Sequence, residues 1–193
     1  PEPLVDLRLA EDALALAAPC IADAVRRHAA VWGAGTMAAF PGLWADNARM
    51  YAYLQATEIS EGLGREVARI APRLGSMAAQ RFASTMAVDS DVATAWVSFR
   101  RAARSFFDLS MPPGRVMILP TSSVARLARD VEHADLREFY AKTLAVASIA
   151  GAVGAPQIHI PTAEGGIALI ARQGADRMLI DRAIALAAQI APT

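Results

Sequence analysis

The chain has 193 residues, of which 54% are hydrophobic, 20% charged and 6% aromatic. This composition is sufficient for one ordinary domain with a sizeable core, or for a large part of a bigger domain. The 19 basic and 19 acidic residues cancel, and no basic run is present, which argues against a nucleic-acid-binding surface. No apolar run approaches the ~20 residues that a membrane-spanning helix needs, and no signal peptide is visible. We therefore expect neither nucleic acid nor a membrane among its partners.

The single cysteine, Cys20, excludes an intrachain disulfide and makes a reducing, cytoplasmic compartment the default expectation. No histidine lies near it in the sequence, and we interpret it as a small buried apolar residue. The chain begins at Pro1 instead of Met, which we interpret as a sign of processing or truncation. No repeat, low-complexity segment or long linker divides residues 1–193, so we expect one domain or part of one.

The first half is predicted to be largely helical. The pattern over residues 11–30 predicts a helix that Pro19 kinks or splits in two. The apolar run at 31–40 contains two glycines and predicts a strand. A second helix is expected over about 43–60, ended by Gly62 and Gly64. Three shorter elements should follow: a helix to residue 70, a turn at 72–75 and a helix over 77–86.

The next predicted helix is long and amphipathic. Asp89, Ser90 and Asp91 supply N-cap chemistry for a helix that continues through residue 107. Its predicted buried face carries apolar side chains at the helical period, namely Trp96, Phe99, Ala103 and Phe106. A final helix is expected over 177–190, with Asp176 as its N-cap.

The remaining elements lie between residues 105 and 177, the stretch that organises the chain. Two apolar strands run into prolines, at Pro120 and Pro161, and a helix is predicted between them, from near Asp135 to Gly151 and Gly154. A strand, a crossover helix and a second strand predict parallel pairing of the two strands, with both exits at one end of the sheet. A tight hairpin through 164–166 then leads into a further apolar run. This alternation of strands and helices predicts an α/β fold.

The same stretch resembles a known family. Ile118-Leu119-Pro120-Thr121 is followed, after the predicted helix, by Gly154-Ala155-Pro156-Gln157-Ile158-His159-Ile160-Pro161. Two further segments, at 166–170 and 174–177, complete a motif order that resembles the C-terminal half of the amidase signature family over about residues 92–188. The resemblance implies a mixed sheet flanked by helices. It also implies a parent enzyme that hydrolyses carboxamide C–N bonds, in which a serine attacks the carbonyl and a second serine relays the proton to a neutral lysine.

The family's catalytic serine pair and lysine lie in its N-terminal half, and neither has a match here. Ser122-Ser123 is flanked by Thr121 and Val124 instead of glycines, so we interpret these hydroxyls as caps of nearby backbone. Lys142, the only lysine, falls inside a predicted helix, and we interpret it as solvated. We therefore assign no catalytic residue to this chain.

We also predict no metal and no cofactor. The three histidines, His28, His133 and His159, lack the spacing of metal ligands. His28 is expected near the end of a helix and His133 in a charged loop. Gly151 and Gly154 follow a helix and precede a strand, which is the reverse of a dinucleotide-binding motif. They are better explained as the end of the crossover helix, where they permit a close approach of the helix and the strand.

Four residues remain as candidates for substrate binding. In the resembled family, the loop after the Leu-Pro-Thr strand borders the acyl side of the substrate, and this role carries over to Pro120, Thr121 and Ser122. A hydroxyl there binds a polar substrate or only caps the loop. His159 takes a position where the family often has serine, and a strand histidine satisfied by a neighbour is the alternative. The hairpin at 164–166 is tighter than the family's, which implies a changed pocket rim or oligomer contact.

The sequence thus predicts the C-terminal portion of an amidase-type hydrolase acting on a small-molecule amide. An N-terminal segment or a companion chain is expected to supply the serine and lysine, and a homo-oligomer is a further expected assembly. The alternative is a non-catalytic scaffold or interaction protein that retains part of the fold. A serine–lysine motif on a companion chain would favour the first hypothesis, and a native gene of this length would favour the second.

Overall fold

A computed structural model describes residues 5–39, 44–70, 73–75, 79, 82–83 and 90–190. Five strands form one mixed sheet in the order β2-β1-β3-β5-β4. The strands are β1 (Asp6–Ala10), β2 (Gly35–Met37), β3 (Arg115–Pro120), β4 (Gln157–Thr162) and β5 (Gly165–Ala171). The α-helices are α1 (Pro19–Val31), α2 (Trp44–Ile70), α3 (Ser90–Ser110), α4 (His133–Val153) and α5 (Asp176–Ala187), with a 3-10 helix at Glu11–Leu16. The predicted α/β class and the mixed sheet are confirmed.

Helices cover both faces of the sheet, because the central strands are apolar on both sides. Along β3, Met117 and Leu119 pack into a core with α2, α3 and α4. The alternate residues, Val116 and Ile118, pack into a second core with α1 and α5. Side chains of a strand point alternately to its two faces, so one buried run supplies both cores. Every residue of β5 after Gly165 is buried for the same reason.

The predicted parallel pairing of β3 with β4 is wrong, since β5 lies between them. Both strands pair antiparallel with β5: Leu119 and His159 lie opposite Ala168 from its two sides. β3 and β4 therefore run in the same direction without being neighbours. The reason is burial and backbone chemistry. The continuously apolar β5 needs the central position, whereas β4 is half exposed and contains Pro161, whose missing N–H confines it to an edge strand.

Strand β1 is a feature that the sequence analysis missed. It pairs parallel with both β2 and β3. Its first half is charged, and those charges pair both within β1 and with β3. Asp6 accepts hydrogen bonds from Arg8 Nε at 2.6 Å and from Arg115 Nε at 2.7 Å. Five residues with two charges give a weak strand signal on their own, and the arginine that completes the pairing is distant in sequence.

Several predicted boundaries in the first half shift. Pro19 does split the first helical segment: the 3-10 helix ends at Leu16, and Pro19 starts α1. β2 is only three residues long because α1 extends through Val31 and a turn follows. Gly62 and Gly64 do not end α2, which continues to Ile70. A helical glycine costs about 1 kcal/mol, too little to interrupt a long helix. Most of the helix predicted over 77–86 lies outside the described residues.

The second half needs smaller corrections. In α3, Ala103 is buried and Trp96 and Phe99 are partly buried, as predicted, but Phe106 is exposed and Phe107 is buried in its place. Asp89 lies outside the described residues. His133 belongs to the first turn of α4 instead of a loop. The predicted N-cap, Asp176, is the first residue of α5, and Ala175 is the N-cap. In the part of the chain that the structure describes, no helix combines the length and apolarity that crossing a membrane requires.

The two glycines at the end of α4 have different roles. Gly154 follows the helix with φ 71°, the left-handed conformation that ends many helices. Gly151 lies within the helix, where an added Cβ would sit 2.7 Å from Cε2 of Tyr51 on α2. The predicted close approach of helix and strand is therefore wrong: the close contact at Gly151 is between two helices, α4 and α2.

Candidate functional site

A polar cavity of about 320 Å³ lies between the loop after β3 and the β4–β5 hairpin. Residues from three segments line it: Thr121, Ser122, Ala125, Arg126, His159, Thr162, Ala163, Gly165 and Gly166. Its size is at the lower end of the range for small-molecule sites. Three of the four candidate binding residues, Thr121, Ser122 and His159, meet at this cavity.

Backbone pairing brings Thr121 and His159 together. The Thr121 N–H donates to the carbonyl oxygen of Gly166 at 3.0 Å, which extends the β3–β5 ladder by one residue. Thr121 Oγ1 lies 2.8 Å from His159 Nδ1, across the intervening strand β5. Because β3 and β4 run the same way on either side of β5, their exits lie at one end of the sheet. That prediction is confirmed, as is a hydrogen-bonded partner for His159.

Gly166 makes this contact possible. A Cβ at this position would overlap Cε1 of His159 and would lie 2.6 Å from its Nδ1 and 3.0 Å from Thr121 Oγ1. The imidazole therefore lies over the backbone of β5, in space that only glycine leaves open. The glycines of the short hairpin thus also shape the floor of the cavity.

Of the two loop serines, Ser122 has the predicted role of capping nearby backbone, whereas Ser123 bonds to α4. Ser122 Oγ donates to the carbonyl oxygen of Val124 at 2.7 Å. Ser123 is buried, and its Oγ lies 3.0 Å from Thr143 Oγ1 on α4. Ser122 lines the cavity as well, but its only proton is already donated, so it offers lone pairs to a ligand.

Pro120 lies apart from the other candidates. It is buried at the end of β3, opposite Ile167, and it is not among the residues that line the cavity. Its place in the site stays a prediction. Its role in the structure is to end β3, since the next peptide group starts the loop that carries Thr121 and Ser122.

Arg126 and Thr162 line the cavity although the sequence analysis did not select them. Arg126 is exposed and lies in an irregular loop, so no periodic pattern marks it. Thr162 Oγ1 donates to the carbonyl oxygen of Gly165 at 3.2 Å and helps to fix the hairpin. Only the three-dimensional meeting of the loop and the hairpin shows that these two residues share one cavity.

A second cavity of about 440 Å³ lies beside the first, between the β3–α4 loop and α4. Asp135, Glu138 and Lys142 contribute to it, and Arg126 lines both cavities. Lys142 Nζ lies 2.6 Å from Glu138 Oε1 in an exposed pair. The hydrogen bond from Lys142 lowers the pKa of Glu138. The prediction of a solvated helix lysine is therefore confirmed.

Two other sequence predictions concern metal binding and Cys20. Among the residues that the structure describes, no group of three or more acidic, cysteine or histidine side chains is arranged to hold a metal ion. Cys20 is exposed, so its predicted burial is wrong. It occupies the first turn of α1 directly after Pro19, and its neighbour Ile21 faces the core in its place.

Comparison with known proteins gives no match to a family model or to a curated protein. Solved structures do match. A crystal structure of an amidase is 12% identical with a TM-score of 0.81, and the match covers 98% of this chain and 46% of that chain. The chain has a partial amidase fold.

A second similar structure is a vestigial protein complex reported to reveal the evolutionary origins of an s-triazine catabolic enzyme. It is 18% identical with a TM-score of 0.75, and the match covers 97% of this chain and 43% of that chain. Its inhibitor-bound form is 19% identical, with the same coverage and TM-score. The chain therefore spans less than half the length of the amidase and of the vestigial complex's matched chain. At these identities the likeness establishes the fold alone.

Proposed function

We propose that this chain is the C-terminal portion of an amidase-type hydrolase that cleaves carboxamide C–N bonds. The observation that carries the proposal is the meeting of Thr121, Ser122 and His159 at one polar cavity, at a sheet end of a partial amidase fold. Each of these positions was selected from its place in the amidase-like motifs. The chain contributes a wall of the substrate pocket.

The catalytic serine and lysine come from outside this chain, on an N-terminal segment or on a companion chain. The serine hydroxyl forms a bond to the carbonyl carbon, its proton passes through a second serine to the lysine, and the C–N bond breaks. The amine leaves with a proton, and water then hydrolyses the acyl-serine ester. The chain's coverage of less than half of the matched structures agrees with such a division.

The Thr121–His159 pair has the spacing of a nucleophile and a base, but we assign it a positioning role. A catalytic imidazole needs a third group that orients it. Among the described residues, His159 Nδ1 bonds Thr121 and no partner is present for Nε2. The contact instead holds the imidazole flat against Gly166 at the cavity wall.

A scaffold without catalysis is the second candidate. It is favoured by the likeness to a complex that is itself described as vestigial. In that case the chain would stabilise a partner through the same fold, and the cavity would have no catalytic consequence.

The test starts with native isolation of the chain, followed by intact-mass analysis of every co-purifying polypeptide. The material is then assayed on a panel of simple amides and treated with a serine-reactive fluorophosphonate. We expect amide turnover together with a labelled serine outside this chain. The chain alone should neither turn over amides nor become labelled at any serine or at Thr121. Labelling and turnover by the chain alone would contradict the proposal, and a complex without either would favour the scaffold.

Thr121→Val then tests the pocket wall in the active complex. The change removes a hydroxyl at nearly constant size and leaves its polar partners unpaired, so kcat/KM should fall by the equivalent of about 1–3 kcal/mol with little loss of folding. Thr57→Val is the matched control, because the Thr57 hydroxyl bonds only its own helix at Tyr53. Equal kinetics for Thr121→Val and the wild type would remove Thr121 from the substrate site.

A further inference from the structure

Arg126 gives the lining of the cavity a positive charge. It is the only charged residue among the nine that line the cavity. In the described part of the chain its guanidinium has neither a hydrogen-bond nor an ion-pair partner. An arginine presents five donors in a planar fork that fits a carboxylate in a bidentate manner. An unpaired fork at a cavity wall is therefore available to a bound anion.

Neither Glu164 on the hairpin nor Glu138 on α4 is available to Arg126, because each carboxylate is paired with another cation. Glu164 lies in the turn between two lining residues, but its carboxylate accepts a hydrogen bond from Arg27 Nη2 at 3.0 Å. Glu138, in the adjacent cavity, is paired with Lys142. Asp135 also borders that second cavity, with no bond to Arg126 among the described residues. The first cavity thus has no acidic lining residue to neutralise Arg126.

The hydroxyl groups of Thr121 and Ser122 determine which parts of a ligand can bind beside Arg126. When His159 carries its proton on Nδ1, it donates to Thr121 Oγ1, and the Thr121 hydroxyl is free to donate to a ligand. A carboxylate favours this arrangement, since each donor in the chain of bonds strengthens the next. The Ser122 hydroxyl already donates its proton to the carbonyl oxygen of Val124. Its oxygen can therefore only accept a hydrogen bond from a ligand, such as one from the N–H of a carboxamide.

We propose that the cavity binds the carboxylate of an amide that also carries an acid group, with Arg126 as its ion-pair partner and Thr121 as a second donor. The donors on Arg126 and Thr121 recognise only the carboxylate of the ligand. That the ligand also contains an amide rests on the proposed function. It narrows the substrate class to small molecules that combine a carboxamide with a carboxylate. A cavity of about 320 Å³ admits a molecule of this size.

Succinamate and succinamide test the charge requirement, because they have the same shape and differ in one carboxylate. The purified full chain is titrated with each while backbone amide resonances of Thr121, Gly165 and Gly166 are followed by NMR. We expect succinamate to shift these resonances, and its affinity to fall as salt is raised. Succinamide should bind at least about tenfold more weakly than succinamate.

Arg126→Gln should weaken succinamate binding about tenfold or more and leave succinamide unaffected. Arg129→Gln is the matched control: Arg129 is an exposed arginine of the same loop that does not line the cavity, and its loss should leave binding unchanged. The proposal is overturned if succinamate shifts none of these resonances, if succinamide shifts them equally, or if Arg126→Gln binds like the wild type.

Measuring binding on the chain alone separates this inference from the proposed function. Selective succinamate binding that depends on Arg126, with no amide turnover by any complex, would support the anion site and contradict the hydrolase. Turnover of neutral and acidic amides at equal kcat/KM, unchanged by Arg126→Gln, would support the hydrolase and overturn the anion site.

Discussion

Gly166 shows how one missing side chain sets the geometry of the cavity. The imidazole of His159 occupies the volume that a Cβ at position 166 would need. The same imidazole bonds Thr121 on the far side of β5. The hydrogen bond between His159 on β4 and Thr121 in the loop after β3 therefore requires glycine at position 166.

Gly166→Ala should destabilise the protein by about 1–3 kcal/mol, the usual cost of overpacking. Combining it with His159→Ala should recover most of that loss, because the clash is with the imidazole. Urea unfolding of the two single variants and the double variant measures the effect. Gly62→Ala is the control: it is a helical glycine with open space around it, and it should gain about 0.5–1 kcal/mol. Additive losses in the double variant would contradict this account.

The sequence predicted the residues that line the cavity unevenly, for physical reasons. Thr121, Ser122 and His159 were found because they lie in, or directly after, strands whose motifs resemble those of a known family. Arg126 was not found, because an exposed loop arginine carries no periodicity and its meaning depends on a hairpin that follows much later in the chain. Cys20 was placed wrongly because residue type predicts average burial, whereas its orientation is set by the register of α1.

At the scale of elements, a buried polar pair joins α2 to α4. Asn47 Nδ2 donates to Ser148 Oγ at 2.7 Å, and both residues are fully buried. Asn47 Oδ1 has no hydrogen-bond partner among the described residues. The hydrogen-bonding capacity of the Asn47 amide is therefore only partly used. Loss of the bond to Ser148 would leave the side-chain amide with no hydrogen bond among the described residues.

Ser148→Ala should cost about 1–3 kcal/mol of unfolding free energy, since it leaves a buried N–H donor unsatisfied. The double change Asn47→Leu with Ser148→Ala should cost less than Ser148→Ala alone, because it removes both polar groups. Ser98→Ala, which removes an exposed hydroxyl on α3, should change stability by less than 0.5 kcal/mol. Thermal and urea unfolding measure all three, and a double variant worse than the single one would refute the explanation.

The charged link between β1 and β3 predicts a pH dependence. Burial raises the pKa of Asp6, but hydrogen bonds and charge from Arg8 and Arg115 outweigh it, so the pKa lies below the ordinary value. A lowered folded pKa contributes stability above the unfolded pKa, and that contribution disappears as pH falls through the folded pKa. The stability advantage of the wild type over Asp6→Asn should therefore be present at neutral pH and vanish in acid. Urea midpoints for both proteins across this range measure it, and an advantage that persists below the folded pKa would contradict it.

The errors in strand order have one cause at this scale. A strand, a helix and a second strand predict direction correctly, and β3 and β4 do run the same way. Adjacency is decided by which strand needs burial on both faces, and β5 needs it more than β4 does. β5 follows β4 in the sequence and lies outside the segment β3–α4–β4. The pattern of that segment alone therefore cannot predict that β5 lies between the two strands. The weakly apolar β1 was missed because its stability comes from distant partners.

For the whole molecule, exposed apolar side chains bear on the proposed division of the fold. Ile180 and Ile184 are 50% and 66% exposed and lie one turn apart on α5, and Leu109 at the end of α3 is 84% exposed. If the chain completes a larger fold, the isolated chain should present an apolar patch of more than a few hundred Å². We expect it to bind a hydrophobic dye and to self-associate in sedimentation. A monodisperse monomer without dye binding would contradict the prediction.

The place of β1 in the sheet also has a consequence for how the chain folds during its synthesis. Its partner β3 begins at Arg115, 109 positions after Asp6, and those two residues pair, so β1 keeps one open edge until β3 has been made. Long-range parallel pairing is slow, because a large loop must close before the contact stabilises it. In that interval β2 is the one strand partner that β1 has, and a two-stranded ribbon is at best marginally stable in water. We therefore expect emergence of β3 from the ribosome to complete the pairing of β1, and a stall before it to leave an unpaired, aggregation-prone strand edge.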